Sequence, residues 1–205
     1  MLEYIRRQRR AWLRLREVRR EERLITSLIA EHSYNLRAPY AALGIPIIKD
    51  DTMEDGAVLY FTPARKGSPS PADAPLATVQ LHPKAAVVDQ RMALGMLLIH
   101  LSITHADTLY ASLPPYIVYA SDLEAPEGPS HNQQWVEYMQ AMDLLLPAAA
   151  FQMLGRLFPT NPAYAMQRVM GVSAKTVMDR AKCISRGLGP ILPRNFLPTK
   201  QCTAR

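Results

Sequence analysis

The chain has 205 residues, 48% hydrophobic and 20% charged, a composition that excludes a disordered chain and predicts one domain with an appendage. No apolar run reaches the roughly 20 residues of a membrane span, and the arginine-rich start lacks the apolar stretch of a secretory signal. The sequence therefore predicts a cytoplasmic protein that does not contact membrane. The net charge of +6 is concentrated at the start: residues 1–23 hold nine arginines against four glutamates, and the remaining residues are nearly neutral.

Residues 1–33 are predicted to form an arginine-rich, amphipathic helical arm. Leu2 to His32 contains no glycine or proline, and its apolar residues recur at spacings near three, four and seven. The second half is predicted to dock on the protein body. The first half is interpreted either as a contact for nucleic acid or an acidic partner, or as a solvated helix with internal ion pairs. Pairing with a second copy of the chain stays open. The candidate binding residues are Arg6, Arg7, Arg9, Arg10, Arg14 and Arg16.

Residues 34–158 are predicted to form the main domain, which begins with β-type sequence. Three short runs bounded by Gly, Pro and Asp predict a small three-stranded antiparallel or mixed sheet. These runs are Gly44 to Ile48, Ala57 to Thr62 and Ala77 to Leu81. Pro63 to Pro75 is rich in Pro, Ser, Gly and Ala and predicts a flexible hairpin tip.

Helical patterns dominate after Ala85, so the predicted fold class is α+β. Val87 to Ile103 is dense in apolar residues and predicts a buried central helix on which the sheet packs. Four shorter helices are predicted after the proline-containing breaks, at Gln133–Leu146, Ala148–Phe158, Pro162–Met170 and Ala174–Ser185. A tail is predicted over residues 189–205. Cys183 and Cys202 belong to no C-x-x-C pair and are predicted to be free thiols.

Residues 159–188 have the proportions of a helix-turn-helix, with Ser173 as the predicted N-cap of the second helix. In a DNA-binding role, Lys175, Thr176 and Asp179 would meet base edges, and Arg180 and Lys182 would meet phosphates. The alternative is a helix pair that only packs the domain.

Four segments in order resemble the ImmA/IrrE family of metallopeptidases. Gln90 to Gly95 leads into the central helix and resembles the segment that leads into the family's zinc motif, which is similar to R-F-T-L-A-H-E-L-G-H. In the family a strand precedes this motif, and Thr78 to His82 takes the place of that strand here. Ala141 to Pro147 is similar to the end of the family's downstream helix, Ala165 to Arg180 resembles its closing element, and Ala42 to Ile47 matches its A-x-x-L-G-I-x-V entry. The resemblance implies a zincin-like fold.

The zinc motif itself is degenerate. A zinc peptidase needs histidines at i and i+4 to hold the ion and a glutamate between them to act as a base. The alignment places Met96 and His100 at the two histidines and Leu97 at the glutamate. The acidic third ligand falls near Gln134 to Val136, and Glu137 lies one position or more off. We predict a vestigial cleft formed by these four residues (Met96, Leu97, His100, Glu137), with no catalytic residue and no metal.

A rebuilt zinc site is the alternative, with His100, His105 and Glu137 as ligands. The two histidines are five residues apart and face different directions on a regular helix, so a helix end or π-bulge would be needed for them to share an ion. This alternative predicts zinc as a cofactor and a zinc-dependent endopeptidase. The simpler interpretation of His100 is a core histidine at the old ligand position.

The resemblance implies a regulator that acts on helix-turn-helix repressors, often in bacteria and on phage or other mobile elements. The leading interpretation is therefore a catalytically inactive, metallopeptidase-like protein that binds a protein partner such as a repressor, or nucleic acid. Direct DNA or RNA binding, through the arginine-rich arm and the last helix, is the other alternative.

Overall fold

A computed structural model of the chain describes residues 16, 19, 20, 22–29, 35–63, 77–104, 114–124 and 132–187. Over these ranges a single sheet packs on helices, which confirms the predicted α+β class. None of the helices in the described ranges is long and apolar enough to cross a membrane. The predicted hairpin tip, the C-terminal tail and Cys202 lie outside the described residues, whereas Cys183 is a buried free thiol, as predicted.

The sheet has four strands where three were predicted. They are β1 (Ile47–Lys49), β2 (Ala57–Pro63), β3 (Ala77–Leu81) and β4 (Tyr116–Tyr119), in the order β1-β3-β2-β4. Strand β1 is parallel to β3, while β2 is antiparallel to both β3 and β4. The three predicted strands are therefore present in a mixed sheet, and β4 is an additional edge strand beside β2.

Seven helical segments lie in the described ranges, together with a short 3-10 helix at Ala120–Glu124. They are α1 (22–29), α2 (Arg37–Ala42), α3 (Val87–Thr104), α4 (Asn132–Leu145), α5 (Ala148–Leu157), α6 (Pro162–Met170) and α7 (Ala174–Ser185). The five helices from α3 onward match the predicted ones to within one residue at each end. Helix α2 was not predicted, because Pro39 lies within it; a proline is tolerated in the first turn of a helix.

Local capping sets the boundaries of α6 and α7. Asn161 accepts a hydrogen bond from the Tyr164 amide, and Pro162 begins α6, where its missing N–H costs no helical bond. Gly171 ends α6 with φ of 63°, a left-handed conformation that favours glycine. The Ser173 hydroxyl accepts from the Thr176 amide at 3.1 Å, which confirms Ser173 as the predicted N-cap of α7.

Helix α3 is the centre of the hydrophobic core, as predicted. Every residue from Met92 to Leu101 is buried, and this helix packs most extensively on α4 and also contacts β2. Ile25 and Leu28 of α1 join the same core, which confirms that the second half of the arm docks on the body. The Tyr40 hydroxyl of α2 donates to the Leu94 carbonyl of α3 at 2.5 Å inside the core. The helices and sheet thus hold α3 from several sides.

Candidate functional site

The site lies where α3 and α4 pack closely. A Cβ atom added at Gly95 would lie 3.2 Å from the Cβ of Ala141, so the missing side chain allows the two helices to approach. His100 lies after Gly95 on α3, and Glu137 lies one turn before Ala141 on α4. Because the contacting residues rise along one helix and fall along the other, the helices are antiparallel. This packing brings the side chains of His100 and Glu137 together.

The Glu137 carboxylate is the centre of a buried hydrogen-bonded cluster. His100 Nδ1 lies 2.8 Å from Glu137 Oε1, and the Tyr116 hydroxyl of β4 donates to Glu137 Oε2 at 2.5 Å. The Gln133 amide donates to Glu137 Oε1 at 3.0 Å. The rings of His100 and Tyr116 stack with centroids 4.2 Å apart. We call these four residues the Glu137 cluster; they join α3, α4 and β4.

Three members of the cluster, Glu137, His100 and Tyr116, are buried, whereas Gln133 is exposed. Glu137 is 1% exposed and His100 is 8% exposed. Burial raises the pKa of Tyr116 far above its ordinary value, and the negative charge of Glu137 raises it further. Tyr116 therefore stays protonated at neutral pH and acts as a hydrogen-bond donor to the carboxylate.

The described residues supply two of the three protein ligands that a catalytic zinc centre takes. Such a centre takes three protein ligands and keeps one coordination position open for water. In the described part of the chain, no group of three or more His, Cys, Asp or Glu side chains is placed to hold a metal ion. His100 and Glu137 supply two ligand groups, and Glu137 already accepts from three neighbours. These contacts are those of a buried carboxylate whose oxygens already have hydrogen-bond partners.

The prediction that Met96 and Leu97 line a cleft is wrong. Both side chains are completely buried in the core, because the face of α3 that carries them packs inside the domain. His100 and Glu137, the other two members of the predicted cleft, do lie together, but in a closed cluster. The alternative zinc set keeps His100 and Glu137 in contact, whereas its third member, His105, lies outside the described residues, so that set stays a prediction.

Sequence reasoning missed Tyr116 and Gln133. Gln133 is four residues before Glu137, a spacing that places two side chains on the same helix face, so this contact was open to prediction. The alternating burial of Tyr116 to Tyr119 is that of a half-buried strand. The run is only four residues long and follows Pro114-Pro115, one of the proline-containing breaks between the predicted helices.

The structure contradicts the prediction that Arg180 and Thr176 contact DNA. Arg180 is 1% exposed and forms a buried ion pair with Asp143 of α4, and its Nε donates to the Leu146 carbonyl at 3.1 Å. Thr176 is buried beside the N-cap Ser173. These two side chains face the protein interior, because the face of α7 that carries them packs on α4.

The remaining predicted contacts on α7, Lys175, Asp179 and Lys182, form ion pairs with one another. Lys175 Nζ lies 2.6 Å from Asp179 and also over the ring of Tyr138. Lys182 is 66% exposed at its side chain and lies 3.5 Å from Asp179. Asp179 therefore neutralises part of the charge of these two lysines.

The arginine-rich arm is described in part. Arg16 is helical and exposed, as are Arg19, Arg20 and Arg23. Arg6, Arg7, Arg9, Arg10 and Arg14 lie outside the described residues.

No family model, curated protein or solved structure matches this chain. The resemblance to ImmA/IrrE proteins therefore rests on the four sequence segments alone.

Proposed function

We propose that this protein acts by binding another macromolecule and that its zincin-like centre performs no metal-dependent hydrolysis. The observation that carries the proposal is the Glu137 cluster, in which the two ligand-type side chains bond to each other and to a tyrosine. A zinc ion at this place would have to displace the His100 and Tyr116 hydrogen bonds to Glu137 and would still need a third ligand.

The catalytic base is missing as well. Leu97 occupies the position at which a zinc peptidase carries the glutamate that removes a proton from the metal-bound water, and a leucine side chain cannot accept a proton. Met96, in the place of the first histidine, carries a thioether, which is a poor zinc ligand. These substitutions disfavour hydrolysis, and we therefore propose binding as the activity of the protein.

A regulatory role in the cytoplasm is the form of binding that the family resemblance supports. In this proposal the chain recognises a protein partner such as a helix-turn-helix repressor and does not cleave it. The outer surface of the domain then determines the partner, while the Glu137 cluster holds α3, α4 and β4 in place.

Zinc content, measured by elemental analysis on protein purified without chelators, tests this proposal. We expect much less than one equivalent of zinc in the wild type, in His100→Ala and in the control His82→Ala, which changes a histidine away from the cluster. One tightly bound equivalent that is lost in His100→Ala and kept in His82→Ala would contradict the proposal and support a zinc endopeptidase.

A further inference from the structure

The charge of this chain is segregated more strongly than the net value of +6 indicates. Between residues 24 and 143, acidic residues outnumber lysine and arginine thirteen to six. Residues 144–187 contain six lysine and arginine residues and a single acidic residue, Asp179. The near neutrality of the chain beyond residue 23 is therefore the sum of an acidic middle and a basic C-terminal part.

Helix α1 and the residues before it place four arginines on one side. Arg16, Arg19, Arg20 and Arg23 are all helical and exposed. On a wheel of 3.6 residues per turn they fall within a sector about 100° wide, roughly opposite the buried Ile25 and Leu28. The arginines thus form a stripe on the outer side of the helix.

The stripe borders helix α6. Glu22, at the edge of the stripe, accepts a hydrogen bond from the Tyr164 hydroxyl at 3.1 Å, and its carboxylate lies 3.6 Å from Arg168. The Arg168 side chain is 50% exposed, so it extends the row of cations from the arm onto the body. The two basic parts of the chain, which are far apart in sequence, therefore meet on one face.

We infer that this face, formed by Arg16, Arg19, Arg20, Arg23 and Arg168, binds the phosphate backbone of duplex DNA. Guanidinium groups at helical spacing can each contact a phosphate, and the release of counterions then supplies most of the binding free energy. Exposed acids of the middle segment, such as Asp51, Glu54 and Asp55, disfavour contact of DNA with their own part of the surface. The inference is independent of the Glu137 cluster.

Two features favour duplex DNA over other polyanions. Single strands bind through bases that stack on open aromatic rings, whereas Tyr164 has its hydroxyl bonded to Glu22 and the Arg168 guanidinium 5.6 Å from its ring centroid. Protein interfaces depend on apolar anchors, whereas the described surface beside the arginines includes exposed Thr26 and Ser27, and its large apolar side chains Leu24 and Tyr164 are each only 39% exposed.

Fluorescence anisotropy with a labelled, mixed-sequence DNA duplex tests the inference in the full-length protein. The stripe variant combines Arg19→Gln, Arg20→Gln and Arg23→Gln. The matched control removes the same charge from three exposed cations elsewhere on the body, Arg37→Gln, Lys49→Gln and Lys84→Gln. Circular dichroism melts establish that both variants fold like the wild type.

We expect the stripe variant to lose at least about tenfold in affinity and the slope of log K against log salt to fall by about 2 to 3, whereas the control stays within about twofold of wild type. Equal losses in both variants would overturn the inference, because affinity would then follow total charge. Absence of wild-type binding at low salt would also overturn it. Displacement of the duplex by polyglutamate of equal charge concentration would overturn it in favour of an acidic protein partner.

Discussion

Helix α4 carries two buried polar clusters that differ in what they hold together. Near its start, Glu137 accepts hydrogen bonds from side chains of α3, α4 and β4. Near its end, Asp143 pairs with Arg180 of α7, and Arg180 also binds the Leu146 carbonyl just past the helix. The first cluster contains the histidine and the glutamate of the predicted vestigial cleft. The second is an ion pair that fixes α7 and satisfies a carbonyl left open where the helix ends.

A buried charged side chain can hold two elements of this fold together or can belong to a functional site. The central acids of both clusters, Glu137 and Asp143, are almost fully inaccessible, so burial alone does not identify a reactive site. The difference lies in their energetics, since loss of Arg180 takes the cation away from a buried carboxylate, whereas Glu137 can lose one hydrogen-bond donor and keep the others. The variants below test this difference in order of decreasing effect.

The largest effect is expected for Arg180→Met. The substitution keeps most of the apolar volume but leaves the Asp143 carboxylate buried without its cation, so the free energy of unfolding should fall by about 3–5 kcal/mol. Urea unfolding measures this change. Lys182→Met, on the exposed side of the same helix, is the control and should have little effect. A loss below about 1 kcal/mol in Arg180→Met would show that the pair is dispensable.

A smaller loss is expected for Tyr116→Phe. The phenylalanine keeps the ring stacked on His100 but removes the donor to Glu137, which should lower the free energy of unfolding by about 1–3 kcal/mol. Tyr119→Phe, on the same strand, removes a hydroxyl that bonds to the exposed Glu54 and is the matched control. Equal stability losses in the two variants would mean that the buried hydrogen bond to Glu137 contributes no more to the free energy of unfolding than the exposed one to Glu54.

Alkaline pH tests the same hydrogen bond. Burial, and then the charge of Glu137, raise the pKa of Tyr116 above the value of 10.0 that it has in an unfolded chain. The stability from this shift is complete below pH 10 and is lost as the pH rises above it, because the unfolded chain releases the proton first. The slope of unfolding free energy against pH above 10 should be smaller in Tyr116→Phe, by up to about 1.4 kcal/mol per pH unit. Identical slopes would contradict the buried position of the hydroxyl.

The smallest effect is expected for Asp179→Asn. Its ion pair with Lys175 spans four residues along α7 and is partly exposed, so solvent screens it and the loss should be at most about 1 kcal/mol. Thermal unfolding at low and high salt measures it. A loss as large as that of Arg180→Met would remove the distinction between buried and partly exposed pairs on this helix.

The helices were predictable because apolar periodicity and Gly or Pro breaks are local signals. The pairing of Asp143 with Arg180 was not predictable, since the two residues are far apart in sequence and only the packing of α7 on α4 brings them together. The alignment placed the acidic third ligand near Gln134 to Val136, with Glu137 one position or more off. Trp135 and Val136 are exposed, whereas Glu137 shares an inward face with Ala141 and Leu145. The helical phase of α4 therefore determines which acid meets His100.

The effect of zinc on stability tests most directly the claim that the Glu137 cluster is closed to metal. A metal that binds only the folded state raises its stability in proportion to the logarithm of metal concentration over Kd. Thermal unfolding should therefore give the same midpoint in chelator and in micromolar zinc, for the wild type and for Glu137→Gln alike. A zinc-dependent rise in the wild-type midpoint that disappears in Glu137→Gln would contradict the account.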